Sequence, residues 1–372
     1  MTNDQLAKKG PSPWPLPLIQ PRPVAGAPPV FARVMRGGFV ESGHRGDAAV
    51  VDEEGRLLAW SGESARQIFP RSAAKPFQAL PLVESGGVER FRLGAADLAL
   101  LCASHGGEPR HVRVARSLLL RGGFSPGDLV CGPQEPMDPR SARRLVSRGE
   151  PPTSLHNNCS GKHAGLLLAC LARGLSATGY WKPEHPLQIE IRRRLARIAS
   201  VREEGMQVAV DGCGLPVLSM PLAALALAYA RLVSRAVDGE TPAERRARHR
   251  LCGAMWERPE MVAGRGRFTT AFLQAARGRS IGKEGAEAVY AIGVRSLSRT
   301  EPSVGIAFKI EDGGTRARDA VALSILDRLG WLSRRAAREL ARFVAPPLVN
   351  AAGAVVGSIR AEVPIIRRDA PD

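Results

Sequence analysis

Apolar residues change period twice along this chain, and the order of those changes limits the folds it can adopt. Short β-prone runs come first, at about 31–35, 48–51 and 57–60, with Asp52-Glu53-Glu54-Gly55 between the last two as the turn of an antiparallel meander. From Ala73 the spacing becomes helical, through 76–84, 95–103, 109–121 and 161–173, with Gly-rich or Pro-rich breaks, and again from about 186 to 200. A short strand at 208–210 runs into Asp211-Gly212-Cys213-Gly214, and a long apolar helix follows around 221–235. Strands return at about 289–296 and 303–310, before helices near 315–329 and 333–342. Strands at both ends with helices between them predict an α/β domain whose sheet is completed by the C-terminal part of the chain. No internal repeat is visible, so residues 30–372 are expected to form one domain.

The start is different. Eight prolines fall within the first 29 of the 372 residues with almost no apolar periodicity between them, which predicts a disordered or polyproline-like extension over 1–29. Lys8 and Lys9 precede no continuous apolar run, so no secretory signal is expected, and the six cysteines read as thiols or ligands rather than a disulfide framework. The cytosol is the expected compartment. The most apolar stretch, 215–230, carries Pro216 and Pro221 and is shorter than the roughly 20 residues a membrane-spanning helix needs.

Charge invites a nucleic-acid reading, with 53 Lys plus Arg against 36 Asp plus Glu and a formal net charge of +17. Only seven of those cations are lysine: Lys8, Lys9, Lys75, Lys162, Lys182, Lys283 and Lys309. Arginines scattered along the whole chain, without a clustered basic run, argue against a dedicated nucleic-acid binder. Lysine scarcity matters in another way, because it makes any chance pairing of a lysine with a reactive side chain several times rarer.

One such pairing stands at Arg71-Ser72-Ala73-Ala74-Lys75-Pro76-Phe77, a Ser-x-x-Lys where a helix begins. Three residues apart on a first helical turn, the hydroxyl and the amine share a face. Burial lowers an ammonium's pKa, and a neutral lysine can then take the serine proton. The plain alternative is a capping serine beside a solvated lysine. Further clusters are Cys102-Ala103-Ser104-His105-Gly106-Gly107 and His156-Asn157-Asn158-Cys159-Ser160-Gly161-Lys162-His163, then Asp211-Gly212-Cys213-Gly214 and Gly282-Lys283-Glu284-Gly285-Ala286-Glu287. A lysine on a sheet-edge strand facing a Ser-x-x-Lys helix is the arrangement of the penicillin-recognising serine hydrolases.

Taken together, these motifs resemble the rhizobial-type L-asparaginase family, the asparaginase II domain, over roughly residues 31–365. That family is distinct from the common bacterial asparaginases and from the plant-type enzymes with an N-terminal threonine nucleophile. The resemblance implies a serine β-lactamase/glutaminase-like fold, a mixed sheet flanked by helices, and a homodimer. It implies hydrolysis of L-asparagine through two pairs, Ser72 with Lys75 and Ser104 with Lys283, with Lys309 as the competitor for Lys283. Arg71 and Asp211 are implied as orienting or charge-balancing neighbours, and Arg71 and His163 as substrate-binding. A metal position made of Cys159, Lys162 and Cys213 is implied as well, suited to zinc, which is expected to orient the substrate rather than generate hydroxide. Lysine ligates only as the neutral amine, so that binding should weaken as pH falls. The alternative is that Cys159 and Cys213 are adjacent buried thiols.

The expected reaction is attack by Ser72 on the side-chain carboxamide, with Lys75 as base and Ser104 and Lys283 relaying a proton to ammonia. Each serine has a lysine that could serve it, so the sequence leaves the choice of nucleophile open. The substrate's zwitterionic head needs a cationic anchor, Arg71 or Arg267, and an anionic one, Asp211 or Glu287. Rival readings are a glutaminase, another small amidase or a β-lactam-directed hydrolase on the same scaffold, and a catalytically dead relative. No nucleic-acid or membrane partner is expected.

Overall fold

A computed structural model describes residues 26–298 and 300–368. Most of the proline-rich start, residues 1–25, and the final four residues lie outside the described part. Nine strands form the main sheet: β1 (Val30–Arg36), β2 (Phe39–Asp52), β3 (Leu57–Ser61), β4 (Ser280–Glu284), β5 (Val289–Val294), β6 (Val304–Ile310), β7 (Pro347–Val349), β8 (Val355–Ala361) and β9 (Ile366–Arg367). Their order is β7-β8-β1-β2-β6-β5-β4, with β3 and β9 branching from β2.

The long strand β2 organises this arrangement. Its first half pairs with β1 and its second half runs between β3 and β6. The sheet is therefore completed by the C-terminal third, as the two changes of period predict. Where a mixed sheet was expected, every pairing is antiparallel. The connections explain it, because β1–β2 and β2–β3 turn back directly, the helical excursion after β3 returns the chain as the edge strand β4, and β5 and β6 then zigzag inward to β2.

Alternate residues of the central strands feed two cores, as a period of two requires. Ala49, Val51, Ala291 and Ala307 face the larger helical layer, and Ala48, Val50, Tyr290 and Phe308 face the helix Arg318–Arg328 and its neighbours. Directly on the first face lies the helix Leu222–Val233, with all of its residues buried. It is apolar on nearly every side because it is sandwiched between the sheet and the helices Pro186–Ala199 and Pro242–Glu257, with Tyr229 edge-on to Phe77 of the helix Lys75–Glu84 at 5.5 Å.

Glycine permits that close approach. A Cβ at Gly305 would stand 1.7 Å from the carbonyl oxygen of Ala226. No rotamer relieves a clash with backbone, so Gly305→Ala is expected to lower stability by about 3 kcal/mol, the upper end of ordinary overpacking. Urea unfolding followed by circular dichroism checks this, with a reduced midpoint at unchanged slope as the expected outcome.

Candidate active site

The helix Lys75–Glu84 opens from a 3-10 turn, Arg71–Ala74, with Pro76 in its first turn, where its missing N–H costs nothing. Beneath that turn, the Tyr229 hydroxyl of the buried helix donates to the Ala73 carbonyl at 2.7 Å. Arg71 enters the turn at φ +51°, a left-handed conformation that costs a non-glycine residue about 1 kcal/mol or more. Its side chain accounts for the conformation's persistence, since Nε and Nη2 both donate to Asp211 Oδ1, at 2.9 and 2.7 Å.

Lys75 is almost fully buried, and its amine turns to the second serine. Nζ lies 2.5 Å from the Ala103 carbonyl, 3.1 Å from Ser104 Oγ and 3.5 Å from the Asn158 carbonyl. Among the described residues the half-buried Ser72 hydroxyl makes no hydrogen bond, so its oxygen is uncommitted. Ser104 follows the helix Ala95–Leu101 and is pinned by its own N–H to the Val262 carbonyl at 2.9 Å. Its hydroxyl also meets Lys283 Nζ at 2.8 Å. One serine oxygen thus stands between two lysine amines.

Lys283 reaches that point from the sheet-edge strand β4, whereas Lys309 is turned elsewhere, onto the carbonyls of Glu287 and Ile310. Burial, followed by the positive charges of Lys75 and Arg267, pushes the Lys283 amine down to about 7 against the pull of Glu284. It can therefore exchange a proton with Ser104 near neutral pH. Glu284 and Arg267 complete this corner, with Arg267 Nη2 3.1 Å from Glu284 Oε1 and Nη1 2.7 Å from the Ser104 carbonyl. The sequence offered Arg267 only as one of two carboxylate anchors, and Glu284 stood unremarked beside Lys283. Only the signal of a charged pair flanking a buried lysine could have marked it.

Asp211 sits in the turn between the short paired strands Val208–Val210 and Pro216–Leu218. Burial favours its neutral form, but the Arg71 bonds and the charges of Lys162 and Arg71 outweigh this and hold the carboxyl below its usual range. The Arg71–Asp211 pair lines a cleft open to solvent that reaches Pro70, Ala74, Gln188 and Arg192.

Behind it Lys162 Nζ donates to Cys213 Sγ at 3.0 Å, and Cys159 is hydrogen-bonded to Cys213 and to Asn158 Oδ1. The bond from Cys213 and, against burial, the Lys162 charge hold the Cys159 thiol well below its usual range. Burial opposes the Lys162 ammonium, yet the two sulfurs and Asp211 keep its pKa raised. Among the described residues no group of three or more His, Cys, Asp or Glu gathers to hold a metal. A metal here would need Lys162 as its third donor beside Cys159 and Cys213, and the convergence of two sulfurs and an amine at one buried point fits zinc.

His163 is fully buried, with Nδ1 2.8 Å from the Tyr180 hydroxyl and Nε2 without a protein partner among the described residues. Burial, then Lys162 and Lys75, keep its ring neutral. The structure therefore gathers Lys75, Ser104 and Lys283 about one centre, with Ser72 one turn before Lys75 and not bonded to it, sets Arg71, Asp211 and the Cys159–Lys162–Cys213 group beside it, and leaves His163 against Tyr180.

The chain is an amidohydrolase. Specifically, it belongs to the L-asparaginase II family, whose model matches residues 32–361. No curated protein matches it. Among solved structures, it is similar to Mglu at 15% identity over 78% of this chain and 68% of that one, with a TM-score of 0.44. The native form of Mglu gives 15% identity, 78% and 66% coverage and a TM-score of 0.43, so this chain spans about two thirds of Mglu's length. A probable glutaminase from Bacillus subtilis, complexed with 6-diazo-5-oxo-L-norleucine, gives 12% identity, 79% and 87% coverage and a TM-score of 0.36. Among the described residues no helix is long and apolar enough to cross a membrane.

Proposed function

We propose that the chain hydrolyses L-asparagine to L-aspartate and ammonia by acyl transfer to serine. The observation that carries this reading is the Ser104 hydroxyl between the amines of Lys75 and Lys283, at 3.1 and 2.8 Å. Ser72, whose hydroxyl is uncommitted, attacks the carboxamide carbon and gives its proton to Lys75. The tetrahedral oxyanion collapses, the carbon–nitrogen bond breaks, and the leaving nitrogen takes a proton from Ser104, which Lys75 replenishes with the one it took from Ser72; the neutral Lys283 amine accepts from Ser104 when water later adds. Water then adds to the ester, returning its proton through the same chain and the acyl oxygen to Ser72. The substrate's head group is taken by the Arg71–Asp211 pair beside the cleft, guanidinium to α-carboxylate and carboxylate to α-ammonium, which opens the ion pair.

Zinc belongs to the proposal as a resident of Cys159, Lys162 and Cys213. When bound it supplies fixed positive charge near Asp211. The three side chains must shed protons to hold it, so occupancy should fall as pH falls.

Ammonia release from asparagine, glutamine and a chromogenic β-lactam, each with and without chelator, tests the reading. Release from asparagine above the other two is expected, surviving chelation at a lower rate, and Cys213→Ser is expected to reduce bound zinc in metal analysis. Absence of release from either amide under both conditions would sink it.

A further inference from the structure

Glu284 and Arg267 take part in no step above, yet they enclose the hydroxyl that both lysines hold. Glu284 ends β4 and is buried. Its Oε1 lies 3.1 Å from Arg267 Nη2 and 3.3 Å from Lys283 Nζ, and its Oε2 accepts from the Thr269 hydroxyl. Arg267 stands just before the helix Phe268–Ala275 and sends its other terminal nitrogen 2.7 Å to the Ser104 carbonyl. The Ser104 hydroxyl closes the ring on Lys283 at 2.8 Å. Ser104 is thus gripped at its carbonyl by Arg267 and at its hydroxyl by Lys283, with one carboxylate bridging the two cations.

We propose that Arg267 and Glu284 are positioning residues for the proton relay: the pair fixes the Ser104 backbone against the Lys283 amine, and its two opposite charges balance the field at that amine. The inference rests on the reading of Ser104 and Lys283 as a relay. Facing Lys283 are Glu284, which favours its ammonium, and Lys75 and Arg267, which disfavour it. Facing Glu284 are Lys283, Arg267 and Arg318, the last paired with Asp319 at 2.8 Å. Against the burial that would neutralise it, these cations hold the Glu284 carboxyl down to about 2, so its charge is fixed across the working range of pH.

The simpler role is a buried bridge that only ties Phe268–Ala275 to β4. A bridge of that kind costs stability when broken, but it does not slow ammonia release in a variant that folds with its charge kept. The positioning pair does. Glu284→Gln removes the negative charge and should lower the Lys283 titration by about one pH unit, whereas Arg267→Met removes a positive one and should raise it by about as much. Arg267→Lys keeps the charge and loses the fork, so the titration should stay put while ammonia release slows about tenfold.

Lysine scarcity makes the measurement direct. Lysine-selective 13Cε labelling of the full chain gives seven signals, one per lysine, and the Lys283 signal is the one missing from Lys283→Arg. Glu284→Ala and Arg267→Gln serve as second members of each pair should the first not fold. Opposite shifts support the proposal, and shifts that are absent or of one sign overturn it. Because the titration is read without turnover, a wild-type chain inactive on asparagine that still shows opposite shifts overturns the reaction assignment and leaves the charge balance standing.

Discussion

Ser104→Ala lowers ammonia release from asparagine by about a thousandfold or more while Ser72 can still be acylated; that is the expected result if the two serines divide the work as proposed. Alanine removes the oxygen that lies 3.1 Å from Lys75 and 2.8 Å from Lys283, so the amines lose their shared acceptor. Acylation needs a base for Ser72, which Lys75 still provides. The proton that Lys75 takes from Ser72 can still reach the leaving nitrogen, whereas drawing one from water needs the Ser104–Lys283 relay, so the acyl-enzyme should accumulate. Ser72→Ala has the opposite signature, with turnover lost and no adduct at all. Acid quench after a single turnover followed by intact mass measurement separates the two variants. An adduct on Ser72→Ala, with none on Ser104→Ala, exchanges the roles of the serines.

The parts of this site that could be read from the sequence are those set by local spacing. Ser72 and Lys75 sit one turn apart because a Ser-x-x-Lys at a helix start can do nothing else. Lysine scarcity pointed the same way: in a chain rich in arginine, Lys75, Lys162 and Lys283 are the buried lysines among the described residues. That Lys75 turns to Ser104 rather than to Ser72 depends on where the loop after Ala95–Leu101 is carried by its bond to Val262, which no spacing encodes. Arg267 and Glu284 meet through the packing of a helix on a sheet edge, and their sequence separation hides the pairing.

The fold divides similarly. Strands β1, β3, β5 and β6 are legible because their apolar residues belong to a sheet buried between layers. Strands β7 to β9 escaped notice because they lie at the margins of the sheet, largely open to solvent, so no apolar face is written in them. The helix Pro139–Arg148 was missed for a related reason, since Ser141 is its only buried residue. The long helix Pro242–Glu257 begins in a run of arginines and acids and shows its apolar side only near its end.

Lys283→Met is expected to cost about a hundred to ten thousandfold in kcat/KM and to erase the acidic limb of the pH profile. In the wild-type chain that limb should lie near pH 7, because burial, with Lys75 and Arg267 nearby, brings the Lys283 amine to about 7. The direction follows from which form works. Above that pH the amine is neutral and can accept the Ser104 proton; below it the ammonium has no lone pair to offer, so the rate falls as pH falls. Lys283→Arg should be as inactive as Lys283→Met despite keeping the charge, since a guanidinium stays protonated throughout and cannot serve as an acceptor. Profiles of kcat/KM for asparagine from pH 5 to 9, taken on the three chains in parallel, decide the matter: a limb near 7 that persists in Lys283→Met assigns it to another group, and an active Lys283→Arg reduces the lysine to a source of charge.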